Sequence, residues 1–136
     1  MSRNPREYPD RPFVGVGAVI LDGSRVVLVR RASEPLAGQW SLPGGAVEAG
    51  ETLGACVVRE MREETGLDVA PGPLVGRVQR GPFAIADYRC TVVGGTLRPG
   101  DDALDARFVA RAAFEALPLV DGLLVTLREW GALPAG

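Results

Sequence analysis

GAVEAGETLGACVVREMREETGL, running from Gly45 to Leu67, sets Glu51, Glu60, Glu63, Glu64 and Arg59 at fixed spacing between two framing glycines, Gly45 and Gly66. Glu60, Glu63 and Glu64 stand at i, i+3 and i+4. On a helix they fall within an arc of roughly 100° on one face. Like charges that close repel, and each disfavours ionisation of the others. Two readings fit a bare E-x-x-E-E. One is a solvated acidic face paired to Arg59 and Arg62. The other is a cation held by converging oxygens, and oxygen-only ligands suit a hard divalent ion, Mg²⁺ before zinc.

The flanks have physical roles of their own. Pro43, Gly44 and Gly45 form a loop whose backbone can approach a ligand closely, because glycine has no Cβ to obstruct it. Thr52 is a fair N-cap, and Glu51 suits the positive end of the helix that follows. The spacing predicts a helix over 52–65, with Gly54, Val57, Val58, Met61 and Thr65 on the packing face. Leu53 and Cys56 fall toward the acidic side. Gly66 sits where a left-handed residue would end the helix, and Leu67 returns to the core. The segment reads as loop, helix, loop.

The spacing G-x5-E-x7-R-E-U-x-E-E-x-G-U, with U a bulky aliphatic residue, resembles the Nudix box. Gly45, Glu51, Arg59, Glu60, Met61, Glu63, Glu64, Gly66 and Leu67 fill it completely. Chance would give such a match in on the order of one window in 10⁸. The resemblance extends outward through WSLPGG, Trp40 to Gly45, and covers most of residues 13–130. It implies a Nudix-type α/β/α sandwich with a mixed sheet, and hydrolysis of a diphosphate linkage with Mg²⁺, Mn²⁺ being a substitute. The resemblance makes Glu60, Glu63 and Glu64 metal ligands, with the backbone carbonyl of Gly44 a further one. It makes Glu51 and Arg59 a pair that orients the helix. For the general base it offers Glu60 or an acidic residue on a later loop, here Asp101, Asp102 or Asp105. That acidic stretch reads equally as a solvated turn.

Composition sets the outer bounds. The chain has 136 residues, enough for one domain with a real core. A net charge of −2 argues against a general nucleic-acid binder. All 15 basic residues are arginine and there is no histidine, which excludes a histidine base, a Ser-His-Asp triad or a histidine metal site. The arginine, alanine, glycine and proline bias suggests a high-GC bacterial genome. Cys56 and Cys90 form no metal spacing and read as small core residues. With no apolar leader and no stretch able to span a membrane, the expected compartment is the cytoplasm.

Along the chain, residues 1–11 read as a loose arm and 12–133 as a single domain. Strands are expected over 13–21 and 25–31, joined through Asp22-Gly23. A long loop is expected over 32–51, a length usually tolerated only for function. Pro71 and Pro73 should break the chain before a strand over 74–80. Further strands are expected over 85–93, 96–98 and 107–110, and a closing helix over 119–130.

Substrate choice lies outside the box. By resemblance, ADP-ribose hydrolases of the family carry a proline about 15 residues after it, and Pro82 stands there. The chain lacks the SQPWPFPQS-like segment of NADH-cleaving members. Ala84 and Ile85 occupy positions where dinucleoside polyphosphate hydrolases carry tyrosine. ADP-ribose, yielding AMP and ribose 5-phosphate, is therefore the first expectation. A MutT-like hydrolase of nucleoside triphosphates, oxidised ones included, is the alternative. A non-catalytic nucleotide-sugar sensor is a third reading, and the intact box speaks against it. Arg30 and Arg31 are candidates to hold phosphate, or are surface charge. Phe13, Phe83 and Tyr88 could stack on a base, or pack in the core. Trp40 reads as a wedge under the catalytic loop. Partners reduce to a small nucleotide, with no nucleic acid or membrane, and the resemblance leaves a homodimer open.

Overall fold

The computed structural model describes residues 13–134, so the arm expected over 1–11 lies outside the described residues. Strand β1 (Phe13–Asp22) turns at Gly23 into β2 (Arg25–Arg31), Gly23 having the positive φ of 61° that such a tight turn needs. The two strands pair only at this hairpin, through Leu21 with Val26 and Asp22 with Arg25, and then diverge. β1 runs parallel to β6 (Phe83–Gly95) and antiparallel to the short β4 (Gly44–Ala46). β6 pairs with the edge strand β5 (Leu67–Arg80). On the other side, β2 pairs with β3 (Trp40–Ser41) and β7 (Ala103–Ala110). The result is a seven-stranded mixed sheet.

Both faces of that sheet are covered, which is why β1 and β2 are near-continuous apolar runs. Val16, Ala18, Ile20 and Val27 pack under helix α1 (Leu53–Thr65) with Cys56, Val57 and Met61. Val19, Val26 and Leu28 point the other way, toward helix α2 (Leu123–Glu129), Trp40 and Phe114. This is the expected α/β/α sandwich.

α1 ends as its sequence predicts. Thr52 Oγ1 accepts from Ala55 N–H at 3.1 Å, and Gly66 closes the helix with φ 74°. Cys56 is fully buried, as the core reading expects and although the helical spacing set it toward the acidic side, because the buried face is centred between Val57 and Met61.

Four other expectations are corrected. Residues 32–51 contain β3 and β4 rather than loop alone. β5 runs unbroken through Pro71 and Pro73, since an edge strand with bulges tolerates residues that donate no hydrogen bond. Residues 96–98 form no strand. Thr96, Arg98 and Gly100 instead donate backbone N–H groups to the carbonyls of Gly66, Thr65 and Glu64, satisfying the open end of α1. The closing helix starts only at Leu123, because Gly122 is left-handed and Leu119 is bridged to Trp40. A 3₁₀ turn, Arg111–Ala116, was not foreseen. Among the described residues, no helix is long and apolar enough to cross a membrane.

Candidate active site

Helix α1 lays its acidic face against β4, a strand almost without side chains. There is no room for any: a Cβ on Gly45 would sit 2.1 Å from the carboxyl carbon of Glu60, and one on Gly44 would sit 2.3 Å from the Val16 carbonyl oxygen. Arg59 organises the carboxylates. Its guanidinium grips Glu51 bidentately, Nε to Oε2 at 2.7 Å and Nη2 to Oε1 at 2.9 Å. Nη1 donates to Glu60 at 2.8 Å and Glu63 at 3.2 Å, and Glu48 lies 3.5 Å away. Nη2 also donates to the Ala46 carbonyl on β4 at 3.1 Å. This tie of helix to strand holds Glu51 down to about 2, chiefly through the Arg59 hydrogen bonds.

Glu64 turns away from this cluster and accepts from the Gly44 N–H at 2.9 Å. Burial pushes its carboxyl up to about 7, with that hydrogen bond opposing. Burial also raises Glu60, Arg59 opposing it. Arg62 does not join the cluster, being paired to Asp68 at the helix end. Four carboxylates thus share one guanidinium, which leaves excess negative charge. Among the described residues, no three acidic side chains stand close enough as they are to cage an ion. Glu60 and Glu63 lean on Arg59, and Glu64 on the backbone. The donor set nevertheless fits a hard divalent cation: all oxygen, uncompensated in charge, and backed by a glycine cradle that a side chain would fill.

Two hollows meet at this place. The first, about 860 Å³, is lined by Arg30, Glu60, Glu63, Asp101 and Asp102 among others. The second, about 780 Å³, lies between the sheet and α2. Arg31, Glu64 and all of β4 line both.

The other sequence candidates divide by position. Arg30 and Arg31 stand at the mouth, where their Nε groups donate to the carbonyls of Gly38 and Pro35. Pro82 and Phe83 border the second hollow, while Tyr88 does not. Alternation along β6 sends Tyr88 to the α1 side, where it packs on the core. The Phe13 side chain lies outside the described residues. Asp105 belongs to β7, not a loop, and is engaged by the Ala106 N–H and Arg107 Nε, both at 2.8 Å. Trp40 is buried, its backbone N–H donating to the Pro118 carbonyl. Cys56 and Cys90 are buried thiols pushed by desolvation up to about 12 and about 11.

The family model described as the NUDIX domain matches residues 11–123. The chain belongs to the Nudix family. Its Nudix box is the Gly45–Leu67 segment, and the Arg59 clasp gives Glu51 and Arg59 of the box a physical role. Among similar proteins is the ADP-ribose pyrophosphatase of Methanocaldococcus jannaschii, 40% identical over 103 residues, covering 71% of this chain and 61% of that one. Another is the provisionally named 8-oxo-dGTP diphosphatase 2 of Mycobacterium tuberculosis, 40% identical over 92 residues, covering 63% of this chain and 65% of its own. The chain therefore spans less than two thirds of the length of either. In structure it resembles a Nudix hydrolase from Nitrosomonas europaea (TM-score 0.81, 24% identity, 90% of this chain and 72% of that one). A MutT Nudix hydrolase from Burkholderia pseudomallei is similar too (TM-score 0.75, 29% identity, 88% and 98%).

One site residue escaped the sequence reading. Asp87 on β6 is 4% exposed and lines the second hollow. The apolar alternation of its strand gave the only available signal, an acid at an inward position.

Proposed function

We propose that this Nudix chain is a Mg²⁺-dependent pyrophosphohydrolase that cleaves the diphosphate bridge of a nucleoside diphosphate linked to a second group. The observation that carries this reading is the junction: the carboxylates of α1 and the bare strand β4 sit where the two hollows meet. A diphosphate there would have a group to either side. Glu60, Glu63 and Glu64 would hold the divalent ion, with the Gly44 carbonyl as a further ligand. Such an ion neutralises phosphate charge and lowers the pKa of bound water.

The chain's own residues supply position. Arg59 and Glu51 fix the helix to β4, so that Glu60 keeps its place. Arg31 at the mouth would meet a phosphate oxygen. Glu60, Asp101 and Asp102 line the reaction side and remain candidates for the base. Asp105, committed to Arg107, is set aside.

Two substrates have support. ADP-ribose is favoured by Pro82 at the cleft rim and by the archaeal relative's name. A nucleoside triphosphate, oxidised ones included, is favoured by the mycobacterial relative at equal identity. Incubation with Mg²⁺ and a panel of ADP-ribose, NADH, diadenosine polyphosphates and dNTPs separates them. AMP with ribose 5-phosphate supports the first, and a monophosphate with pyrophosphate the second. No cleavage of any member in Mg²⁺ or Mn²⁺ would overturn the proposal.

A further inference from the structure

Asp87 stands out as a carboxylate that neither the catalytic machinery nor the core accounts for. It sits on the floor of the second hollow, on the α2 side of β6. It has no hydrogen bond or ion pair among the described residues, although its side chain is almost wholly buried. Its oxygens keep some access to the hollow, since among the described residues no wholly buried side-chain oxygen lacks a partner, and that open side is where a donor on a ligand would meet them. Burial pushes it up to about 6, and Arg80 is the cation it feels. As a carboxylate it can only accept.

The carboxylate lies close over the backbone of its neighbour strand, in a largely apolar hollow. Directly beside it on β1 is Gly17, where a Cβ would stand 2.0 Å from Asp87 Oδ1. The walls are largely apolar, with Val78, Ile85, Leu123 and Trp130 among them. At about 780 Å³ the hollow takes a nucleobase and its sugar. Its shared wall with the box leads toward the phosphate site.

We infer that Asp87 selects the base of the substrate, its two carboxylate oxygens accepting from the adjacent N1–H and N2–H donors of a guanine-type edge. Adenine offers one donor beside an acceptor at its corresponding edge, so one carboxylate oxygen would meet a lone pair. Hypoxanthine keeps N1–H and loses the amino group. The inference rests on the nucleotide reading above and deepens it. It points to guanine over adenine, and so favours the second substrate of that reading, a guanine nucleotide, over ADP-ribose.

Two measurements test it. Binding of GMP, IMP and AMP to the intact wild-type protein should follow that order, with GMP tighter than AMP by about 10- to 100-fold. Equal binding of the three, or preference for AMP, overturns the inference. Asp87→Asn converts the acceptor pair into one acceptor and one donor, the complement of adenine. Its GMP-to-AMP affinity ratio should therefore fall by at least about tenfold. An unchanged ratio in a folded variant overturns the inference as well. Because each ratio is read on one protein without turnover, guanine selectivity with no hydrolysis would sink the enzymatic reading and leave Asp87 standing. Hydrolysis without base preference would do the reverse.

Discussion

Arg59 reaches Glu48, Glu51, Glu60 and Glu63 at once, so a residue that looks like one more charge in E-x7-R-E is the joint of the site. Glu63 and Glu64 differ in setting: the first is exposed, the second half-buried against the Gly44 N–H. As proposed metal ligands, both should nonetheless be needed. Glu63→Gln and Glu64→Gln are each expected to lower kcat by about 10²-fold or more, with unchanged circular dichroism. Near-normal turnover in both would remove the metal assignment. Asp87 gives a second prediction at this scale. Its folded value near 6 exceeds the ordinary value near 4, so the folded state binds the extra proton between those limits. Stability is therefore lost as pH rises through that window. Asp87→Asn should be more stable than wild type at pH 7.5, by up to about 3 kcal/mol, and the gap should close near pH 4. Urea melts at the two pH values would show it, and an equal gap at both would contradict it.

Among the elements, α1 was the most legible and β5 the least. The ends of α1 are written in Thr52 and Gly66, each with a local cause that needs no tertiary context. Thr52→Ala leaves the Ala55 N–H without its side-chain acceptor and should cost about 1 kcal/mol in thermal unfolding. A loss under a few tenths would mean that the cap is not structurally important. β5 misled because prolines are strand breakers only where a neighbour needs their N–H, and an edge position is not visible in one sequence. Residues 96–100 misled for a related reason. Their backbone donors serve the end of α1, a partner some 30 residues back in the chain. The acidic face was readable from spacing, and Arg59 could be placed beside it. That Arg59 would take both Glu60 and Glu63, while Arg62 goes to Asp68, depends on β5 arriving next to the helix end. Asp87 showed only as an acid at an inward position, because its surroundings lie in Gly17 across the ladder and in α2 above it.

For the molecule as a whole, opposing titrations shape stability. Glu51, held down to about 2 by Arg59, favours the fold above the ordinary carboxylate range and loses that contribution as pH falls toward 2. Glu64, pushed up to about 7 by burial, acts in the other sense and weakens the metal-free fold as pH rises from about 4 to about 7. In EDTA the melting temperature should therefore fall across that upper range. Mg²⁺ should restore more at pH 8 than at pH 5, since protons compete for the same oxygens. Equal shifts at both pH values, or none, would show that the ion does not engage these carboxylates.

The three residues of β4, Gly44–Ala46, form a common wall between two compartments and carry almost nothing on either side. The proposed chemistry lies behind it on α1, and the proposed recognition in front of it on β5, β6 and α2. Either room can be refurnished without moving the partition. On the proposed reading, substrate choice is separately heritable from reaction rate, and a change at Asp87 would redirect it while the box stays letter for letter the same.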